Sequence, residues 1–514
     1  MRTFHFLLLT AILKGSMFRT SAAVPLEERS VGVLARDDHR CLDGFALVCL
    51  GREVYLIDTD GRVMHEWRAR RNVFVAHLLP NSNLIRDGTE EEAQVSFRAG
   101  GAAGYIEEVS WDNTPIWSFK MMPTLLYLSH HAFQPLANGN VLILSWRRRS
   151  KEECLAAGRR PDLLPDDCVW DNVTIEIEPQ PSSQSAKVVW EWAVWDHLIQ
   201  DFCEDKANFG VIREHPELFD INHAPVGGKF AQRNKDLSKQ GDATAPPNSH
   251  GIALPFLKAG KTGEADWLHI NGISYSESKD QIIMSMCTPD EIVIIDHSTT
   301  TEEAASHKGG RSNRGGDILW RWGNPLVFQS GTRFDQQLFG QHSPVFVGDH
   351  LPGAGHVLVF SNGRSPDRLW SNVLELELPE CDANGVYPHE IGEPFAPNAP
   401  FWSYGPRVGR AGSFYCSHMS GCQRLENGNT LITLGPLGAV IEVTPEGDEV
   451  WRFLNPVNKS SAADGVSFVR QGESRLVGDF KLFNVVKYSS SYKPLAERIE
   501  FLADLKTSAR YLEA

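Results

Sequence analysis

The sequence predicts an all-β fold, a six-bladed β-propeller with helical or loop insertions on one face. Two patterns predict it: a strand–turn–strand unit ending in Trp occurs six times, and a second hairpin unit precedes most of these copies. One four-stranded sheet cannot bury both of its faces, whereas sheets stacked radially around an axis cover one another. An array of β-sandwiches would instead need Pro/Gly-rich linkers between self-contained blocks, and the sequence has none.

The Trp-ended unit consists of an apolar strand, an Asp/Gly-type turn and a second apolar strand. Residues 54–68 (VYLIDTDGRVMHEWR) and 439–454 (AVIEVTPEGDEVWRFL) are its clearest copies. The six copies end at Trp67, Trp117, Trp190, Trp320, Trp402 and Trp451. A chain of 514 residues would by length alone suggest three or four domains. Six repeat ends predict one ring instead.

The second unit is a hairpin whose turn is Asn-Gly-Asn or an equivalent. It occupies residues 78–85, 133–144, 273–285, 345–360 and 422–434. Asn-Gly between alternating apolar runs is the strongest short signal for a β-hairpin. Two hairpins per unit predict four strands in each blade.

The regions outside the repeats define the domain organisation. Residues 1–23 are predicted to be a signal peptide, because Arg2 precedes the apolar run 4–13 and small residues end at Ala23. A single propeller domain is predicted over 42–490, with insertions at 147–170 and 195–266, followed by a C-terminal helical tail over 491–514. We therefore expect a secreted or periplasmic protein of the secretory pathway. No other segment is apolar enough to span a membrane.

Charge and cysteine content narrow the choice of partners. The chain carries 50 basic and 65 acidic side chains, a net charge of −15. Nucleic acids and anionic membrane surfaces are therefore poor partners, and an anionic ligand requires a local basic pocket. The nine cysteines show no zinc-site spacing, although Cys154 and Cys168 could pair in an oxidising compartment. Asn172 and Asn458 begin glycosylation sequons, so a secreted eukaryotic protein would be a glycoprotein.

Several hairpins open with a histidine, namely His131, His269, His342 and His418, with His77 and His130 as weaker examples. Equivalent points in successive blades converge on the same end of the central channel. Three interpretations remain open: packed structural histidines, a Zn, Cu or Fe cluster, and nucleophilic catalysis in which a cation holds the transferred group. Arg364 would supply that cation, with Arg368 as its nearest rival. His197 and His223, in the second insertion, could also approach the pocket.

Several motifs, taken in order, resemble the arylsulfotransferase family. They are DWLHINGISY (266–275), QHSPVF (341–346), VLVFSNGR (357–364) and SGCQRLENGNTLIT (420–433), and the resemblance covers about residues 42–460. It implies a six-bladed propeller that moves a sulfuryl group from a phenolic sulfate ester to a phenol, without a nucleotide sulfate donor or another cofactor. It also implies that His418 is the nucleophile, that it becomes transiently sulfated, and that His269 and His342 support it. Arg364 would hold the sulfuryl group.

The residue types suit this chemistry. A neutral imidazole is a good nucleophile near pH 7, a second histidine can exchange the proton with the phenol, and Arg364 can stabilise the sulfuryl oxygens. The alternative is a metal-dependent hydrolase, or a propeller that binds a ligand without catalysis.

Overall fold

Six antiparallel sheets form the blades of a β-propeller. The computed structural model describes residues 26–90, 97, 99–121, 127–164, 168–223, 265–365, 368–406, 414–459, 466–475, 479–498 and 511–512. The predicted fold class is confirmed. The inner strand of blade 4 contacts the inner strands of blades 3 and 5.

The strands of each blade follow one another from the centre to the rim. Blade 1 contains Val485–Ser489, Gly44–Leu50, Glu53–Asp58 and Val63–Arg68, and blade 2 contains Ala76–Leu78, Leu84–Thr89, Gly104–Val109 and Pro115–Lys120. Blade 3 contains Tyr127–Pro135, Val141–Ser150, Cys168–Gln180 and Ser185–Ala193, and blade 4 contains Ile270–Ser276, Gln281–Met286, Glu291–Asp296 and Ile318–Trp322. Blade 5 contains His342–Phe346, Val357–Ser361, Asn372–Leu376 and Trp402–Tyr404, and blade 6 contains Gly421–Arg424, Thr430–Leu434, Ala439–Val443 and Glu449–Leu454, with Gly32–Arg36 as a fifth strand.

The two ends of the chain close the ring. Val485–Ser489 pairs with Gly44–Leu50 as the inner strand of blade 1, and Gly32–Arg36 pairs with the outer strand of blade 6. A Cβ on Gly44 would lie 2.0 Å from the Tyr488 carbonyl oxygen, so this closure depends on a glycine at position 44. The sequence shows only five inner hairpins because the sixth is assembled from both chain ends.

The tryptophan of every repeat lies in the fourth strand of its blade. In blades 3 to 6 the indole N–H reaches the next blade, where it bonds the segment between the third and fourth strands. The bonds are Trp190 to Thr299 Oγ1 (3.1 Å), Trp320 to Ala396 O (2.8 Å), Trp402 to Pro445 O (2.7 Å) and Trp451 to Thr59 O (2.9 Å). The tryptophans therefore join consecutive blades as well as filling the core between them.

The repeated Asn turns also have a structural reason. The second Asn of the turn donates a side-chain hydrogen bond to a glutamate in the third strand of the same blade. The pairs are Asn83–Glu108 (2.6 Å), Asn140–Glu176 (2.5 Å) and Asn429–Glu442 (2.7 Å). Each bond links the inner hairpin to the outer one.

The described parts of the predicted insertions contain little helix. Within 147–170, residues 147–150 and 168–170 extend two long strands of blade 3. The described residues between them include the short helix α1 (Lys151–Ala156) and the 3₁₀ turn Pro161–Leu163. Within 195–223 the structure has 3₁₀ turns and the parallel pair Leu198–Ile199 with Phe219–Asp220. The other α-helices among the described residues are α2 (Thr301–Ala304) and α3 (Lys493–Ala496).

Parts of the predicted organisation fall outside the described residues. These are the signal peptide (1–23), residues 224–264 of the second insertion and most of the tail beyond 498. A minor two-stranded sheet, Val457–Lys459 with Val466–Phe468, follows blade 6. Among the described residues, every helix is too short or too polar to cross a membrane.

The cysteines and the sequon at Asn172 differ from expectation. All nine cysteines are free thiols, so Cys154 and Cys168 do not form the disulfide that their spacing allowed. The Asn172 side chain is buried inside a central strand of blade 3, and the folded protein cannot present it for glycosylation. Asn458 is partly exposed and accepts a hydrogen bond from the Asp479 backbone N–H (2.9 Å).

His297 forms an ionic bridge between blades 3 and 4. Its Nε2 lies 2.8 Å from Glu176 and its Nδ1 lies 2.8 Å from Asp280. Burial would lower the pKa of His297, but the hydrogen bonds to Asp280 and Glu176 outweigh it and raise the pKa to about 9. Tyr275, which packs against the ring, donates to the same Asp280 oxygen (2.8 Å). His297 is therefore a half-buried imidazolium at neutral pH.

We predict that this bridge makes stability depend on pH in the alkaline range. The folded pKa of His297 lies above its ordinary value of 6.5, so its contribution is complete below pH 6.5 and is lost as the pH rises through about 9. His297→Gln should lower the free energy of unfolding at pH 6 by about 1–3 kcal/mol. The loss should be much smaller at pH 10. Urea titrations across this range, with the exposed His350→Gln as control, measure both effects; an equal loss at pH 6 and pH 10 would contradict the prediction.

We also predict that the inter-blade tryptophans carry much of the stability. Trp451 is 1% exposed, and Trp451→Ala should cost about 3–5 kcal/mol because it removes a large buried side chain and its hydrogen bond. Phe334, which is 84% exposed, provides the aromatic control, and Phe334→Ala should change stability by less than about 0.5 kcal/mol. Urea unfolding followed by circular dichroism tests the difference. Similar losses in the two variants would show that the tryptophan does not have this role.

Candidate active site

Left-handed backbone residues lie within the inner strands of blades 3 and 5 and immediately before those of blades 4 and 6. These residues are His131, His269, Ser343, Met419 and Ser420, with φ between +49° and +81°. Residues with a side chain seldom adopt such angles, and each costs about 1–3 kcal/mol. In blades 3, 4 and 5 the strand pairing also shifts register there, as in a β-bulge. Bulges redirect side chains and are frequent beside active sites.

The bulges bring histidines of neighbouring blades into contact. The rings of His131 and His269 meet edge to face with centroids 4.6 Å apart. His130 Nδ1 lies 2.9 Å from His131 Nδ1, and the His130 ring stacks on Trp146. Burial, and then the neighbouring His269, lowers the pKa of both His130 and His131 well below its usual range. Both rings are therefore neutral at pH 7, and one Nδ1–H donates to the other Nδ1.

A buried carboxylate orients His269. The His269 Nδ1 lies 2.5 Å from Asp266 Oδ2, and Trp146 Nε1–H donates to Asp266 Oδ1 at 3.0 Å. Asp266 is 5% exposed, whereas the His269 side chain is 26% exposed. Since Nδ1–H points to the carboxylate, Nε2 is the nitrogen of His269 that can meet a substrate. An Asp–His pair of this kind sets the tautomer and the orientation of a catalytic imidazole.

His342 is held as a neutral hydrogen-bond acceptor. The Met419 backbone N–H donates to its Nε2 (3.2 Å), so its proton is on Nδ1, which faces Asn362 Oδ1 (2.7 Å). Burial, and then the nearby His269, lowers the pKa of His342 to about 3. The ring therefore holds the backbone beside His418.

Asn362 secures the same loop from the other side. Its Nδ2 donates to Cys416 O (2.8 Å) and to Met419 O (2.9 Å). His418 lies between these two positions, is partly exposed, and has its Nδ1 2.8 Å from Ser417 Oγ. It is close enough to His342 to contribute to the low pKa of that histidine. His342 and Asn362 together fix the position of His418.

Arg364 reaches this network through Asp290. Its Nη2 donates to Asp290 Oδ1 (2.7 Å) and to the Cys287 carbonyl oxygen (2.8 Å). The same Asp290 oxygen accepts from the backbone N–H of Gly340 (2.6 Å), whose carbonyl oxygen lies 3.0 Å from His342 Nδ1. The Cys287 N–H in turn donates to the His269 carbonyl oxygen. Arg364, which follows the second strand of blade 5, is therefore linked through Cys287 to His269 of blade 4.

Arg368, the rival cation, has other contacts. It packs against Phe339 and Trp370, donates to the side chain of Asn372, and lines a cavity of about 310 Å³ on blade 5. His197 also lies elsewhere, hydrogen-bonded to Asp317 next to the outermost strand of blade 4. The sequence had allowed His197 to approach the central site, but in the structure it is not part of that site.

The structure thus brings His269, His342, His418 and Arg364 into one continuous set of contacts. Their catalytic roles remain predictions. The sequence analysis had named His131 among the hairpin histidines without giving it a role, and it did not select three other members: Asp266, Asp290 and Asn362. Asp266 precedes His269 by three residues, and Asn362 precedes Arg364 by two, so both lay inside motifs already recognised. Asp290 had no such signal.

Fold and site together define a propeller protein with a central site of imidazoles and one arginine. The chain belongs to the arylsulfotransferase family, because the family model "Arylsulfotransferase (ASST)" matches residues 52–461. Membership supports aryl sulfotransfer in general as the activity. No curated protein matches the sequence significantly.

Solved structures resemble the chain at low similarity. A protein of unknown function from Bacteroides caccae has 8% identity and a TM-score of 0.39, with 86% of this chain and 98% of the other covered. A putative 6-phosphogluconolactonase from Bacteroides fragilis has 7% identity and a TM-score of 0.34, with 88% and 100% covered. A catalytically inactive virginiamycin B lyase from Staphylococcus aureus has 8% identity and a TM-score of 0.32, with 83% and 89% covered. At these scores none of them informs the function.

We predict that Asn362→Leu releases the loop that carries His418. The leucine removes the hydrogen bonds to Cys416 O, Met419 O and His342 while keeping a similar volume. Hydrogen–deuterium exchange over residues 414–420 should speed up at least tenfold, and stability should fall by about 2–4 kcal/mol. Replacement of the exposed Asn384 by leucine is the control and should change neither quantity. Unchanged exchange in the Asn362 variant would mean that the loop is held by other contacts.

Proposed function

We propose that this protein transfers a sulfuryl group from a phenolic sulfate ester to a phenol through a sulfohistidine at His418. Two observations support the proposal: membership of the arylsulfotransferase family, and a central site in which the partly exposed His418 is held through His342 in the same network of contacts as the Asp-oriented His269 and Arg364. These are the groups that an in-line displacement at sulfur requires.

The first half-reaction forms the N–S bond. The His418 proton stays on Nδ1, shared with Ser417 Oγ, so the Nε2 lone pair attacks the sulfur of the ester. The sulfur–oxygen bond to the aryl group breaks, and His269 gives the proton of its Nε2 to the departing phenolate. The Asp266 carboxylate stabilises the imidazolium form of His269 that provides this proton.

The second half-reaction reverses these roles. His269, now neutral, takes the proton of the acceptor phenol, whose oxygen attacks the sulfur and releases His418. No net proton or electron is consumed. Because the phenolate is itself a good leaving group, this route needs no nucleotide sulfate donor.

Arg364 is proposed to stabilise the charge of the transferred group. A sulfate monoester carries one negative charge over three oxygens, and a preorganised guanidinium compensates it without rearrangement. Asp290 fixes the guanidinium through Nη2 and also offsets part of its charge. The site is therefore less positive than the sequence alone suggested, since Asp266 and Asp290 both lie beside it.

The geometry does not favour the alternative of a metal-dependent hydrolase at the same histidines. Among the described residues, the set of side chains whose ligand atoms converge for a metal ion lies at the rim, in blade 4 and the segment before it, and includes none of the central histidines. We also propose that the enzyme acts in the secretory pathway, because the first 23 residues have the pattern of a signal peptide.

Intact-mass spectrometry of the purified protein tests the proposal. Exposure to an aryl sulfate without an acceptor should add about 80 Da, the mass of SO₃, and a phenol should then remove it. His418→Ala should abolish the adduct and lower sulfate exchange between two phenols by at least 10³-fold. His350→Ala, an exposed histidine of blade 5, is the matched control. An adduct that persists in His418→Ala would move the nucleophile elsewhere, and full exchange without any adduct would exclude a covalent enzyme intermediate.

A further inference from the structure

A second set of histidines lies where the segment after blade 3 meets blade 4. His197 ends the 3₁₀ turn Val194–His197 and is fully buried. His307 follows helix α2 and its side chain is 59% exposed, while Asp317 immediately precedes the outermost strand of blade 4. One ligand atom from each side chain lies within 4.8 Å of the others. The proposed sulfotransfer uses none of these residues.

The hydrogen bonds of His197 leave an electrostatic conflict. Its Nε2 lies 2.8 Å from the Ala304 carbonyl oxygen, which only accepts, so the ring proton must be on Nε2. A neutral ring then turns the Nδ1 lone pair toward Asp317 Oδ1, 2.8 Å away. The same oxygen lies 2.7 Å from His307 Nδ1. Two lone pairs facing each other inside the protein repel, so a positive centre must lie between them.

We propose that this positive centre is a Zn²⁺ ion bound by His197 Nδ1, His307 Nδ1 and Asp317 Oδ1. Two imidazoles and one carboxylate are a ligand set that zinc uses, with bonds of about 2.0–2.2 Å. A tetrahedral ion separates its ligand atoms by about 3.4 Å, so the distances from Asp317 Oδ1 to the two imidazole nitrogens would lengthen by roughly 0.6–0.7 Å on binding. The exposed side of His307 leaves the fourth position to water.

The surroundings of His197 are those of a metal ligand. Zinc-bound histidines usually donate their other N–H to a carbonyl or carboxylate, as Nε2–H does in this protein to Ala304. Trp192 stacks on the ring and donates to the Gly316 carbonyl oxygen (2.7 Å). A Cβ on Gly316 would lie 2.6 Å from His197 Nε2, so glycine at this position lets the backbone close over the ring. The His197 ring is thereby fixed before any ion binds.

The proposed ion would tie the start of the second insertion to blade 4. His197 comes from the segment that follows blade 3, whereas His307 and Asp317 come from the connection between the third and fourth strands of blade 4. A metal that binds only the folded protein raises its stability by mass action. The site would therefore act as a structural clasp at the rim and would be independent of the chemistry at the centre.

Metal titration of the full-length protein tests this site. Protein stripped with a chelator and dialysed should bind one Zn²⁺ per chain in isothermal titration calorimetry, and Zn²⁺ should raise its melting temperature. Co²⁺ in place of Zn²⁺ should give the visible absorption of a four-coordinate ion. The His307 side chain is largely exposed, so His307→Ala leaves the core intact. This variant should weaken Zn²⁺ binding more than tenfold and abolish the increase in melting temperature.

Three further variants separate this site from other histidines. Asp317→Asn should lose binding as His307→Ala does, with circular dichroism to verify its fold. His215→Ala, an exposed histidine in the same insertion, and His269→Ala, in the central site, should both keep one Zn²⁺ per chain. Failure of the stripped protein to bind Zn²⁺, or unchanged binding in His307→Ala, would overturn the proposal and identify the positive centre as a proton on His197. Loss of binding in His269→Ala alone would place the metal at the channel histidines.

Discussion

Closure of the ring is the constraint on which the rest of this structure depends. Each blade has two apolar faces, and no blade is stable until neighbours cover both. The outer tryptophans meet this requirement, because the indole of one blade fills the gap to the next and, in blades 3 to 6, donates a hydrogen bond into it. The last gap is closed by strands from the two ends of the chain. Val485–Ser489 pairs within blade 1, and Gly32–Arg36 pairs within blade 6. The ring is therefore complete only when the whole chain has folded.

A closed ring creates the central site and also stores strain there. Inner strands of neighbouring blades meet at the centre, and bulges with left-handed residues direct His131 and His269 toward each other. Such backbone costs free energy, which the packed blades offset elsewhere. Buried imidazoles stay neutral in this setting, since His130, His131 and His342 all have lowered pKa values. The site thus combines neutral nitrogen donors and acceptors with the Arg364–Asp290 ion pair and the hydrogen bond between His269 and Asp266.

Charge is distributed differently at the centre and at the blade contacts. At the centre, each carboxylate has a specific partner and limits the positive field that an anionic substrate would meet. Between blades 3 and 4, by contrast, His297 is an imidazolium held by two carboxylates. The cluster of His197, His307 and Asp317 lies at the same pair of blades, farther out. Blades 3 and 4, between which the second insertion lies, are therefore joined by charged side chains as well as by Trp190.

The sequence by itself determined the number of blades, their four-strand composition and the family, because periodic apolar runs and turn residues act over short distances along the chain. It also led to His269, His342, His418 and Arg364, which lie in recognisable local motifs. Only the tertiary structure decided which groups orient them. Asp290 meets Arg364 across 74 positions of chain, and Asn362 meets the loop of His418 across more than 50. Contacts of this kind arise when the ring closes and leave no local periodicity, which is also why the pairing of the two end strands with blades 1 and 6 could not be predicted.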